Sequence, residues 1–316
     1  MMMRLLAWLR ARWMKVGVVL GVSAALAAAG CAQLAEKERE LTFRVVPGDA
    51  SWFSGLPAGV NEMDLPVTVE GKVQRVHAWW WPAEQRGAPA LLYLHGSRWN
   101  LTGQLYRIEQ LHDFGYSVLA IDYRGFGRSD GGMPSEATVY EDARAGWERL
   151  TELEPDPAKR YIYGHSLGGA IAIDLAAWLS AREGPVPARG LIVESTFTSL
   201  ADIARALSYE WLPVQWILSQ KFDSIDKIAQ VRLPVLVVHG EADRYVPARF
   251  SKMLYEAARG PKQLLLVEGG THNNSMRMGS DDYRQALGAL FDWPGKTPTT
   301  PRVANVPARR ARPGAG

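Results

Sequence analysis

Residues 160 to 169 read Arg-Tyr-Ile-Tyr-Gly-His-Ser-Leu-Gly-Gly. A short apolar, β-branched and aromatic run leads into Gly164-x-Ser166-x-Gly168, and the stretch from Leu167 to Arg182 then carries a helical pattern. A serine is ordinarily a poor nucleophile. It becomes an effective one when a tight strand-to-helix turn thrusts its oxygen out beside a base and a site for an oxyanion. Gly164 and Gly168 lack side chains, so the turn can be sharp and the neighbouring elements can approach closely. The helix beginning at Leu167 brings unpaired N–H groups and the positive end of its dipole to the same point.

Outward from this turn, strand and helix patterns alternate. Ala90 to Leu94, Ser117 to Ile121, Tyr161 to Tyr163, Leu191 to Val193, Val235 to Val238 and Gln263 to Val267 are continuous apolar runs, as expected of strands buried on both faces. Helical patterns cover Leu101 to Phe114, Ser135 to Leu153, Leu167 to Arg182, Ala248 to Ala258 and Asp281 to Phe291. The alternation predicts an α/β domain with a mostly parallel, doubly wound sheet. Before it, Leu41 to Val46, Pro66 to Val69 and Val73 to Trp81 read as antiparallel strands. The stretch 199–233 is too short for a separate lid domain and predicts a short cap of two helices, Leu200 to Ser208 and a second around Trp211 to Leu218.

In open α/β sheets, ligands bind at the carboxyl ends of the strands. The residues that follow each apolar run are therefore the informative ones: His95-Gly96-Ser97, Asp122-Tyr123-Arg124-Gly125, the Ser166 turn, His239-Gly240-Glu241-Ala242-Asp243, and Glu268-Gly269-Gly270-Thr271-His272. Together they supply a nucleophile, Ser166, a base, His272, and an acid, Asp243, in the chain order Ser–Asp–His. The other five histidines fit less well. His77 and His112 lie on an early strand and a helix, His95 and His239 at strand ends, and His165 inside the turn with its ring expected to face away from the reacting carbonyl. The oxyanion hole is expected from the backbone N–H groups of Leu167 and Ser97. Trp99, Tyr123, Phe126, Phe197, Trp211 and Trp216 are candidates to line an apolar acyl pocket.

These motifs, over about Pro66 to Phe291, resemble the serine-aminopeptidase-like branch of the α/β-hydrolase superfamily, and within it the small, nearly lidless bacterial hydrolases related to eukaryotic depalmitoylases. The likeness rests on Leu-His-Gly-Ser at 94–97, Asp-Tyr-Arg-Gly-Phe-Gly-Arg-Ser-Asp-Gly at 122–131, Pro-Ser-Glu at 134–136 and Gly-His-Ser-Leu-Gly-Gly at 164–169. It extends to Glu-Ser-Thr-Phe-Thr-Ser at 194–199, Lys-Phe-Asp-Ser at 221–224, His-Gly-Glu-Ala-Asp at 239–243 and Gly-Gly-Thr-His-Asn-Asn at 269–274. The resemblance implies an α/β-hydrolase fold and a serine hydrolase that needs no cofactor. Ser97-Arg98-Trp99 and Thr271 depart from the relatives' usual residues and bear on pocket shape. Two further functions stay open. A peptidase that releases N-terminal residues would need an acid for the substrate's amine, and Glu194 is the candidate; a binding lipoprotein would use the fold without catalysis.

The chain ends differ in character from the middle. Residues 1–30 combine Arg4, Arg10, Arg12 and Lys15, no acid, and an apolar run from Val16 to Ala29 that ends before Cys31. This reads as a signal peptide of the lipoprotein type, with an apolar stretch short of the roughly 20 residues that span a bilayer. Cys31, the single cysteine, is then the expected lipidation site. The expectation is a membrane-anchored envelope protein, on the periplasmic side of an outer membrane, or a soluble periplasmic one. The tail from 294 to 316, rich in Pro, Ala and Arg, is expected to be disordered. The formal charge of +3 includes four cations of the leader and five of the tail, none offset by an acid, so residues 31–293 carry −6. A mildly acidic core argues against nucleic acid as a partner. Metal-site spacings, a phosphate loop and a dinucleotide fingerprint are absent from the sequence.

Overall fold

In the computed structural model, residues 29–207 and 214–293 are described, apart from the side chains of 215 and 216. Eight strands form one sheet in the order β1-β2-β4-β3-β5-β6-β7-β8. The strands are β1 (Asn61–Val69), β2 (Lys72–Trp81), β3 (Ala90–Leu94), β4 (Ser117–Ile121), β5 (Arg160–His165), β6 (Gly190–Glu194), β7 (Val235–Gly240) and β8 (Lys262–Val267). β1 pairs with β2 and β2 with β4 antiparallel; the remaining neighbours are parallel. The strand order reverses at β3, with β4 on one side and β5 on the other, which opens a crevice at their carboxyl ends. The two registers that frame the crevice are Leu94 beside Ile121 and Leu94 beside Gly164.

The continuous apolar runs are explained by cover on both faces. Every residue of β3, β5, β6 and β7 is buried. One face packs beneath α3 (Glu136–Leu153) and α4 (Leu167–Ser180), the other beneath α2 (Leu101–Asp113) and the closing helix α10 (Ser280–Phe291). α4 is buried nearly all round, as its small and apolar sequence requires for a helix directly behind the nucleophile. Asn100 and Ser135 cap α2 and α3 by accepting from Thr102 N and Thr138 N. α8 (Arg249–Ala257) covers β7 and β8. Among the described residues, three short helices follow β6, α5 (Leu200–Ala206), α6 (Val214–Ile217) and α7 (Ser224–Ile228), one more than the sequence pattern suggests.

The segment Leu41 to Val46 departs from its expected strand. Residues 29–43 form a helix, α1, whose last turn includes Leu41. Alternation over so few residues cannot separate strand from helix, and here tertiary contacts decide. Glu38 accepts from Ser219 N at 2.8 Å and Gln220 N at 2.7 Å, and Phe43 packs edge-on against Phe222 at 6.1 Å. Arg44, at φ 52°, ends the helix. Among the described residues, no helix is long and apolar enough to cross a membrane. The expected signal segment, up to residue 28, and the tail from 294 lie outside the described residues.

Candidate active site

Ser166 occupies the junction of β5 and α4 at φ 55°, ψ −121°, a conformation that L-residues avoid. Its backbone is fixed on both sides. Ser166 N donates to Glu194 O at 2.9 Å, and Ser166 O accepts from Gly169 N at 2.9 Å and Thr196 Oγ1 at 2.8 Å. Gly168 is imposed by contact, since a Cβ there would stand 2.0 Å from Leu94 O. Gly96 is the other close approach: a Cβ would lie 3.1 Å from Ser166 Cβ, so the loop after β3 rests against the nucleophile. That loop presents Ser97 N, and α4 presents Leu167 N, and no described residue accepts a hydrogen bond from either. The two N–H groups expected to hold an oxyanion therefore flank the serine without competing partners.

The loops after β7 and β8 meet on the far side of the cavity. His272 Nδ1 donates to Asp243 Oδ2 at 2.7 Å. Asp243 Oδ1 accepts from Tyr245 N at 2.8 Å and Val246 N at 3.0 Å. Burial alone would raise the Asp243 carboxyl, but hydrogen bonds from His239 and His272, with Val246 N, outweigh it and hold the group well below the usual carboxylate range. Asp243 is thus an anion, and Nδ1 of His272 carries a proton, leaving Nε2 free as a base. Ser166 and His272 line one cavity of about 400 Å³. No Ser166–His272 hydrogen bond is made among the described residues; such contacts commonly close only around substrate.

Several residues around this pair brace it in ways that the sequence reading did not assign to them. His239, fully buried, bonds Ser251 Oγ at 2.6 Å and Val246 O at 2.8 Å and so braces the turn that carries Asp243. His165 lines the cavity beside Ser166 and is not idle. Burial, with the charge on Arg107, pushes its imidazole well below the ordinary value, and neutral Nε2–H donates to His272 O at 2.8 Å. Beneath it, Glu194 accepts from Arg107 Nη1, Ser275 Oγ and Tyr163 Oη, each at 2.7 Å. Arg107 Nη2 reaches Asn273 O at 3.5 Å, so this buried ion pair ties α2 and β6 to the His272 loop. Sequence offered one signal for it: a glutamate at the end of a wholly apolar strand must find a cation or lose its charge.

The expected pocket residues divide. Trp99 and Phe197 line the cavity, with Leu200, Ile203 and Leu207 of the cap. Tyr123 and Phe126 do not. Both are fully buried beneath the His95 loop, their ring centroids 4.4 and 4.9 Å from the His95 ring, and Tyr123 Oη donates to His95 O at 3.0 Å. They follow β4, one strand removed from the nucleophile, and the loop after β3 covers them. Trp211 lies outside the described residues, and so does the side chain of Trp216, which sits on α6. Cys31 is exposed on α1.

Comparison with known proteins identifies the family. The family described as "Serine aminopeptidase, S33" matches residues 87–226. The uncharacterized protein Rv2307c of Mycobacterium tuberculosis is 38% identical over 70% of this chain and 75% of its own length. The chain belongs to the α/β-hydrolase superfamily. The lysophosphatidylserine lipase ABHD12 of Danio rerio is 31% identical over 74% of the chain and 62% of that protein. Among solved structures, the Pyrococcus furiosus esterase Pf2001 superposes with a TM-score of 0.59 at 21% identity, covering 78% of this chain and 98% of that one, a likeness of fold. As a member of this superfamily, with lipase and esterase relatives, the chain is a hydrolase.

Proposed function

We propose that this α/β-hydrolase cleaves carboxylic ester or thioester bonds through an acyl-enzyme on Ser166. The observation that carries the reading is the strained Ser166 turn facing, across one cavity, an imidazole held by an ionised carboxylate at 2.7 Å. Ser166 Oγ attacks the acyl carbon while His272 Nε2 takes its proton. The oxyanion is received by the N–H groups of Ser97 and Leu167. Collapse expels the alcohol or thiol, protonated by His272, and a water activated by the same imidazole then releases the acid and frees the serine. A fluorophosphonate probe is expected to label the wild-type chain and not Ser166→Ala. Labelling that survives the substitution would overturn the assignment.

The peptidase reading loses support on one point. Glu194, its candidate for holding a substrate amine, is fully buried and already engaged by Arg107, Tyr163 and Ser275. Turnover of p-nitrophenyl acyl esters with none of aminoacyl anilides is the outcome expected. The ABHD12 relative is named for a lysophospholipid, which favours lipid-like acyl esters over peptides as the substrate class here. We also place the protein at a membrane through lipidation of Cys31, on the strength of the leader sequence and the exposure of that thiol. Cys31→Ser is expected to move the protein from the membrane fraction to the soluble fraction.

A further inference from the structure

The catalytic cavity is lined by two arginines and, among the described residues, by no carboxylate. Arg44 follows α1 and Arg98 follows Ser97 of the oxyanion loop. Both side chains are exposed, and among the described residues neither is paired with an acid. Both residues hold positive φ, 52° and 63°, a conformation costly for residues with a Cβ and often retained at ligand clamps. The segments that bear them are tied together, since Arg98 N donates to Phe43 O at 2.8 Å and Arg44 N to Glu40 O at 3.0 Å. The Arg98 guanidinium lies 5.6 Å from the Trp99 ring centroid, which limits the space it can sweep. The same cavity is also lined by the apolar residues Phe197, Leu200, Ile203 and Leu207.

A cavity of this kind suits an amphiphile. The apolar wall accepts an acyl chain, which carries no charge of its own, so a charge on the substrate falls on the group that leaves. Guanidinium forks match the paired oxygens of phosphate and carboxylate. We infer that Arg44 and Arg98 form a selectivity site for an anionic group, a phosphate or a carboxylate, on the leaving-group side of a single-chain acyl ester. This rests on the ester-hydrolase reading and adds the charge of the substrate to it.

The test compares kcat/KM of the full-length chain for three octanoyl esters: octanoylglycerol, octanoylglycerol 3-phosphate and the octanoyl ester of glyceric acid. The wild type is expected to favour at least one anionic ester over the neutral one by about tenfold or more, with the preference shrinking as salt rises. The phosphate and carboxylate arms show which anion is meant. In Arg44→Gln/Arg98→Gln the anionic-to-neutral ratio is expected to fall towards one, and in Arg44→Lys/Arg98→Lys to return in part. Equal rates for neutral and anionic esters, or a ratio untouched by the double glutamine change, would overturn the inference while leaving the hydrolase reading in place. A second measurement does not depend on turnover. Calorimetric titration of Ser166→Ala with octyl phosphate and with octyl succinate is expected to show binding of one or both, and octyl glucoside binding at least about tenfold more weakly. Equal binding of the neutral amphiphile would reject the anion site even if every ester proved inert.

Discussion

Two histidine–carboxylate pairs stand at the same edge of the sheet, and they behave in opposite ways. His272 and Asp243, after β8 and β7, meet at 2.7 Å. His95 and Asp122, after β3 and β4, stand 3.5 Å apart. Asp243 collects two backbone N–H groups and two imidazoles, and its charge is stabilised despite burial. Asp122 receives the single N–H of Leu101, so burial dominates and pushes its carboxyl up to about 8, while burial takes the His95 imidazole down to about 4. The residue types are the same. What separates the proposed catalytic dyad from the silent pair is the number of donors aimed at the acid and the access of the imidazole to a cavity.

That contrast can be attacked directly. Ser166→Ala should abolish turnover of p-nitrophenyl esters, by a factor on the order of a million, with the unfolding midpoint little changed. Asp243→Asn keeps the shape but no longer fixes the imidazole tautomer, and should lower kcat about 10⁴-fold. Asp122→Asn, the same change in the silent pair, should leave kcat within about threefold, inside the range of an indirect effect; a loss comparable to that of Asp243→Asn would erase the distinction drawn here. The third buried carboxylate sharpens it further. Glu194 meets Arg107 at 2.7 Å with both side chains fully buried, so Arg107→Met removes one partner of a buried ion pair and should cost about 3–5 kcal/mol in urea unfolding. A further test concerns pH. Folded Asp122 keeps its proton to about 8, whereas the unfolded chain loses it near 3.8. Between these values the unfolded state binds fewer protons, so this group's contribution to stability falls as pH rises. The wild type should therefore lose stability relative to Asp122→Asn as pH is raised across that window, and a difference that is flat with pH would show Asp122 to be ionised in the fold.

Most of the strands were legible because buried parallel strands leave a mark that survives without context, a short unbroken apolar run. Their Gly-containing ends pointed to Ser166, Asp243 and His272 for the same reason: the residue types needed for acyl transfer fall one loop beyond each run. The misreadings have a common physical cause. Leu41 to Val46 has a local pattern that either a strand or a helix would satisfy, and Glu38 and Phe43 settle the matter through partners about 180 residues away in the chain. Tyr123 and Phe126 are aromatic and adjacent to the site in sequence, but composition does not say which side of a loop a ring will occupy.

The sequence by itself determined the layered α/β architecture and the strand-end positions of Ser166, Asp243 and His272, because periodicity and turn chemistry are local. Only the tertiary structure decided which carboxylates are ionised and which side chains face the cavity. It alone carried Arg44, from a helix at the start of the fold, to the lip beside Ser97. Burial, donor count and wall position depend on atoms contributed by distant segments, and no window of sequence contains them.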